Sequence, residues 1–138
     1  MKRIYIQEAP LDPGAILEDN VSPADGSDLL FCGRVRNNSR GRNVQHIDYQ
    51  VYPEMAVKEM ERIAEEAIEK WRINRCVIVH RYGRVMPGES SIIILVSTPH
   101  RDESYTASRY IIDEIKKRVP VWKKELYDDG SEWIGDRN

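Results

Sequence analysis

Five consecutive apolar residues, 92–96 (Ile-Ile-Ile-Leu-Val), constrain this chain more than any other stretch. Side chains of a strand alternate between two faces, so a strand with no polar residue must be covered on both. Helices or a second layer must therefore flank the sheet that holds it. The run is far shorter than the ~20 apolar residues of a membrane helix. Around it, hydrophobic residues make up 41% and charged residues 32% of 138, the balance of one globular domain spanning residues 1–138.

Residues 2–7 alternate apolar and polar and predict a short strand. Asp12-Pro13 predicts a helix start over 13–19, because Asp caps and Pro suits the first helical position. After the turn-rich stretch 22–27, residues 29–36 predict a strand. Asn37-Asn-Ser-Arg-Gly-Arg-Asn43 predicts a polar loop, mobile when empty. Residues 44–52 alternate well and predict a half-buried strand pairing with the preceding one across that loop. Pro53 opens the clearest helix, with Ala56, Met60, Ile63, Ala64, Ala67 and Trp71 on one stripe. Strands over 75–82 and 90–97 follow, joined by a turn containing Met86-Pro-Gly-Glu89. A second long helix runs over 102–118, with Ser104, Ser108, Ile111, Ile112, Ile115 and Val119 on its stripe, and Pro120 stops it. The tail to residue 134 predicts short strands. The order βαββαββαββ is that of a mixed α+β sheet domain.

The first ten residues, MKRIYIQEAP, lack the apolar block of a signal peptide, which predicts a cytoplasmic protein. Cys32 and Cys76 sit in apolar strand-like runs and are expected to be buried reduced thiols. Three scattered histidines without metal-ligand spacing give no expectation of a metal or other cofactor. P-loop, dinucleotide-binding and nucleophile-elbow motifs are absent. A net charge of −2 argues against general coating of nucleic acid, and no membrane partner is expected. Charge is uneven, however: residues 29–47 carry four arginines and no acid, a stretch able to build a local anion site or simply a solvated loop.

Three segments concentrate cations. Ser97-Thr-Pro-His-Arg101 lies where a buried strand gives way to a helix, so free amides plus His100 and Arg101 form a natural anion cradle. Lys116, Lys117 and Arg118 suit the negative end of a helix dipole, which explains them structurally. Lys123 and Lys124 follow Pro120 and need another account. In an extended segment they point to opposite faces, so one turns inward while the other stays wet. An inward lysine beside Trp122 would be desolvated, with its pKa lowered into a range useful for acid, base or nucleophilic work.

Taken in series, Phe31-Cys-Gly-Arg-Val-Arg-Asn-Asn-Ser-Arg-Gly-Arg42, Tyr52-Pro-Glu-Met55, His80-Arg-Tyr-Gly-Arg84, Thr98-Pro-His-Arg101, Val119-Pro-Val-Trp-Lys-Lys-Glu125 and Gly130-Ser-Glu-Trp133 closely resemble the large, catalytic subunit family of molybdopterin synthase. The resemblance implies an α/β hammerhead fold, with two long helices and an additional small antiparallel β subdomain. It implies a homodimer within a heterotetramer, each copy holding a small ubiquitin-like sulfur carrier with a C-terminal Gly-Gly thiocarboxylate. The implied substrate is cyclic pyranopterin monophosphate, which receives two sulfurs in turn to form the dithiolene of molybdopterin. By position, the family's catalytic lysines fall on Lys123 and Lys116. Its substrate-binding residues fall on Arg36, Phe31, His100, Arg101 and Glu125, and a tail arginine able to reach a neighbouring subunit falls on Arg137. Trp122, Tyr127 and Trp133 are expected to wall the carrier's channel, unless they simply pack in the core. The competing reading is a non-catalytic module that binds RNA or another anion through its arginine loop. Phe31 as the one aromatic near that loop weighs against it. A scaffold that has lost catalysis is disfavoured by retention of the matched cations.

Overall fold

The structure, a computed structural model, describes residues 1–19 and 21–136. Twelve elements follow in order: β1 (Lys2–Gln7), α1 (Pro13–Glu18), β2 (Ser27–Arg34), β3 (Asn38–Ser39), β4 (Arg42–Val51), α2 (Pro53–Lys70), β5 (Arg75–Arg81), β6 (Gly83–Val85), β7 (Ser90–Thr98), α3 (Arg101–Arg118), β8 (Val121–Tyr127) and β9 (Glu132–Asp136). They build two sheets, so the expected mixed α+β class and its additional small antiparallel sheet are both present.

The first sheet runs β1-β5-β7-β2, with β1 parallel to β5 and the other pairs antiparallel. Strand β7 lies inside it and is buried over its whole length. Ile92, Ile94 and Val96 point to α2 and α3, where they meet Ala56, Met60, Ile63 and Ile111. Ile93 and Leu95 point the other way and pack with Val77, Val79 and Ile16 of α1. Both faces are covered, as an unbroken apolar run requires. Strand β5 shares the alternation, with Cys76 and Ile78 on the side of the long helices.

Pro53 sits in the first turn of α2, where its missing N–H removes no bond, and Glu54 favours the positive helix end. Arg118, in the last turn of α3, clasps the two helices together. Its guanidinium donates to Glu59 at 2.7 Å and to Glu66 at 2.7 and 3.0 Å, while Tyr110 donates to Glu66 at 2.6 Å. No helix among the described residues is long and apolar enough to cross a membrane.

The second sheet runs β3-β4-β8-β9, with β6 also pairing β4. Its small core is Val35, Val44, Ile47, Val85 and Tyr127. Three expectations are corrected here. Strand β4 does not pair with β2; β2 closes the edge of the first sheet on β7, and β4 takes β3, β6 and β8 instead. Residues 37–43 are not a plain loop but a tight hairpin. Arg40 and Gly41 both take positive φ (54° and 73°), the geometry of a two-residue turn matched to strand twist. The segment after β5 is not all turn: Gly83, at φ 86°, redirects the chain into β6.

Candidate active site

Pleating of β8 decides which lysine turns inward. Lys123 and Glu125 lie on the covered face with side chains 13% and 6% exposed. Lys124, one residue away, points out and pairs with Glu132 at 2.9 Å. Trp122 also points out and is exposed, so the tryptophan beside Lys123 in sequence is not beside it in space. The expected inward lysine is present, desolvated by the fold rather than by an indole.

Across from β8, the last turn of α3 delivers Lys116. The end of β2 supplies Phe31, and the two residues beyond it bring Arg36. Lys123, Lys116, Arg36 and Phe31 line one cavity of about 330 Å³ together with Arg34 and Glu125. Strand β2 reaches this position through a register shift between Gly33 and Arg34. Gly33 is required there: a Cβ would sit 2.7 Å from Cγ2 of Ile92, below any tolerable contact. The β3 hairpin closes the cavity with Asn38 and Ser39. A smaller inner chamber of about 40 Å³ opens behind the lysines, shared by Tyr49, His80, Ser91, Lys116 and Lys123.

Electrostatics follow from this crowding. Burial pushes the Lys123 ammonium below the ordinary lysine pKa; Glu125 opposes that shift, and Arg40 and Arg36 reinforce it. Lys116 is pushed down by burial and by the charge of Lys123. Glu125 accepts a hydrogen bond from the Tyr127 hydroxyl at 2.8 Å and lies 3.9 Å from the Lys123 ammonium. Burial, then the bond to Glu125, raises the Tyr127 phenol. The result is a concave site of several cations with one inner carboxylate, suited to two anionic reactants that would otherwise repel each other.

His100 and Arg101 stand elsewhere. They sit exposed at the start of α3, while Lys116 sits near its end. Sixteen residues at 1.5 Å each separate His100 from Lys116 by about 24 Å along the axis. Within one chain they do not reach the cavity. The hydroxyls at this junction are engaged: Ser97 donates to Asp28 at 2.6 Å and Thr98 to the His100 carbonyl at 2.6 Å. Arg137 lies outside the described residues. Of the aromatic tail, Tyr127 is buried in the small core, and Trp133 is covered by Arg40, whose guanidinium carbon stands 3.9 Å from the ring centroid. Arg42 lies over Tyr127 at 5.4 Å. Arginines already lie over these two rings, so Trp133 and Tyr127 offer no stacking face for nucleobases, and the RNA-binding reading finds no support.

Tyr49, His80 and Ser91 escaped sequence reasoning. One signal was available for His80: it ends the row Cys76, Ile78 on the helix-facing side of β5, a polar ring where an apolar one would pack. Its Nδ1 lies 2.8 Å from the Arg81 carbonyl, and Tyr49 meets it edge-on with centroids 5.5 Å apart.

Comparison with known proteins gives a consistent result. The family model for the MoaE protein matches residues 6–118. The molybdopterin synthase catalytic subunit of Halalkalibacterium halodurans is 41% identical over 136 residues, covering 99% of this chain and 87% of the relative. That of Pyrococcus abyssi is 47% identical over 118 residues, covering 85% and 80%. The crystal structure of molybdopterin synthase from Staphylococcus aureus superposes with a TM-score of 0.90 at 33% identity, covering 98% of each chain.

Proposed function

The chain belongs to the MoaE protein family, and from that premise we propose that it is the catalytic subunit of a molybdopterin synthase. It works in the cytoplasm as a homodimer, each copy holding a small ubiquitin-like sulfur carrier. Sulfur passes from the carrier's C-terminal Gly-Gly thiocarboxylate to cyclic pyranopterin monophosphate, twice, to form the dithiolene. The observation that carries this reading is the convergence of Lys123, Lys116 and Arg36 on one cavity from three separate stretches of the chain.

Arg36 holds the cyclic phosphate, where its planar fork suits bidentate contact. Lys116 holds the thiocarboxylate as the extended Gly-Gly tail enters. The sulfur then attacks a pterin side-chain carbon, forming a C–S bond as a C–O bond breaks. Lys123, desolvated and close to Glu125, gives the departing oxygen its proton or stabilises its charge. The carrier is left as an acyl thioester; water attacks the acyl carbon, releasing a carboxylate and leaving sulfur on the pterin. Phe31 walls the pterin, and Glu125 keeps Lys123 charged. His100 and Arg101 complete the phosphate site from the neighbouring copy, since their own chain holds them about 24 Å away along α3. Arg137 belongs to the same contribution.

The test mixes purified protein with thiocarboxylated carrier and the cyclic pterin, and reads dithiolene product by fluorescence of its oxidised derivative. Lys123→Ala should abolish product without unfolding the chain; unchanged turnover removes Lys123 from the chemistry. Mixing Lys123→Ala with His100→Ala should restore activity to roughly a quarter of wild type, because half the dimers then hold one complete site. No recovery would return His100 to its own chain or out of the mechanism.

A further inference from the structure

The inner chamber behind the lysines has a feature the sulfur-transfer chemistry leaves unused. His80 is buried at 7% exposure, and its ring lines the chamber with Lys116, Lys123, Tyr49 and Ser91. Because Nδ1 faces a carbonyl oxygen at 2.8 Å, it must carry the proton, which leaves Nε2 as an acceptor. The edge of Tyr49 fixes the ring plane, with 71° between the two rings. A chamber of about 40 Å³ with several polar walls is large enough for a bridging water, which needs roughly 10–15 Å³.

We propose that His80 is a positioning residue for Lys116: its neutral Nε2 accepts a hydrogen bond from the Lys116 ammonium, directly or through one chamber water, and holds that charge toward the cavity. The groups facing Lys116 are Lys123 and Glu125 from β8, Tyr49 from β4, His80 from β5, and Arg34 and Arg36 from the end of β2 and just beyond. Among them a cationic histidine would add to the repulsion. Burial, the largest cause, outweighs the upward pull of the bond to the Arg81 carbonyl and, with a lesser push from the charge of Lys116, holds the His80 pKa down to about 4. The imidazole is therefore an acceptor across the neutral range. The family of the lysine site gives this inference its catalytic meaning, but its test needs neither carrier nor pterin.

Full-length protein is dimethylated at its lysines with ¹³C-formaldehyde and titrated by NMR, with the Lys116 signal assigned through its loss in Lys116→Arg. His80→Leu should move the Lys116 midpoint down by about half a pH unit or more, the equivalent of one ordinary hydrogen bond. His80→Gln, which keeps a neutral acceptor, should stay near wild type. In the reconstituted reaction, the basic limb of the kcat profile should move down with His80→Leu and return with His80→Gln. An unmoved midpoint in His80→Leu, or equal shifts in both variants, overturns the proposal even if sulfur transfer is intact. Should His80→Leu fail to fold, ¹⁵N-histidine spectra of the wild type decide: a neutral Nδ1–H ring at pH 7 is required, and an Nε2–H tautomer or a charged ring refutes it.

Discussion

Replacing Lys123 by methionine should make the protein more stable and nearly inactive at once. Methionine keeps the length of the side chain and removes its charge. In the wild type that charge is 13% exposed, shares its cavity with Lys116 and Arg36, and has only Glu125 as an opposing carboxylate there. Burial lowers its folded pKa below the usual 10.5, so the native state binds this proton less tightly than the unfolded chain does. The sign follows: at neutral pH the charged lysine costs stability, and the cost fades as pH rises toward 10.5. Removing it should add about 0.5–2 kcal/mol, the range of other such relieved sites. For a chain of this length that raises Tm by roughly 2–6 °C. The gain of wild-type stability with rising pH should shrink in the variant. Turnover should fall about 10²–10³-fold, the usual loss when one preorganised charge stabiliser is removed. Thermal unfolding at pH 7 and pH 9.5, paired with the fluorescence assay, reads both effects. A variant that is less stable than wild type by 1 kcal/mol or more, or that keeps turnover within tenfold, refutes this account of the site.

Glu125→Gln removes the one carboxylate that holds the Lys123 pKa up, so the basic limb of the pH–rate profile should move to lower pH; a limb that moves up or not at all would contradict the pairing. Arg118→Met should abolish an acid-sensitive contribution to stability. Arg118, then Tyr110, hold Glu66 at about 2, so its contribution is whole above about 4.5 and is lost as pH falls toward 2. The group is partly exposed, so the difference between urea unfolding at pH 6 and pH 3 should stay under about 1 kcal/mol. Gly41→Val forces a branched side chain into φ 73° and should cost about 1–2 kcal/mol locally. Because the hairpin walls the cavity, KM for the pterin should rise more than kcat falls.

The choice of Lys123 over Lys124 as the inward lysine came from the resemblance. Strand alternation put the two on opposite faces, and the apolar run told where the covered sheet lay. Both are local consequences of backbone geometry. Pairing partners are not local, and the choice of β7 over β4 for β2 was not legible in either strand. The hairpin at residues 38–43 was hidden by its composition, which is that of a loop. Its β3 strand is two residues long, and the rings that its arginines lie over, Trp133 and Tyr127, come about ninety residues later. His100 and Arg101 were placed with the site by resemblance, and the length of α3 separates them from it in their own chain. His80 went unassigned because one polar residue at a strand end is ordinary until the cavity behind it is seen.

Strand β7 serves the core and the cavity at once. Ile92 packs against the long helices and also walls both the cavity and the chamber behind it, next to Ser91. The bed of the proposed pterin site is thus part of the buried core, and amide exchange there should report global unfolding. In the proposed reaction the substrate must change shape between the first sulfur and the second. With the bed tied to the core, accommodation is expected of the short hairpin around Arg40 and Gly41, and amide protection there should be the lowest around the cavity.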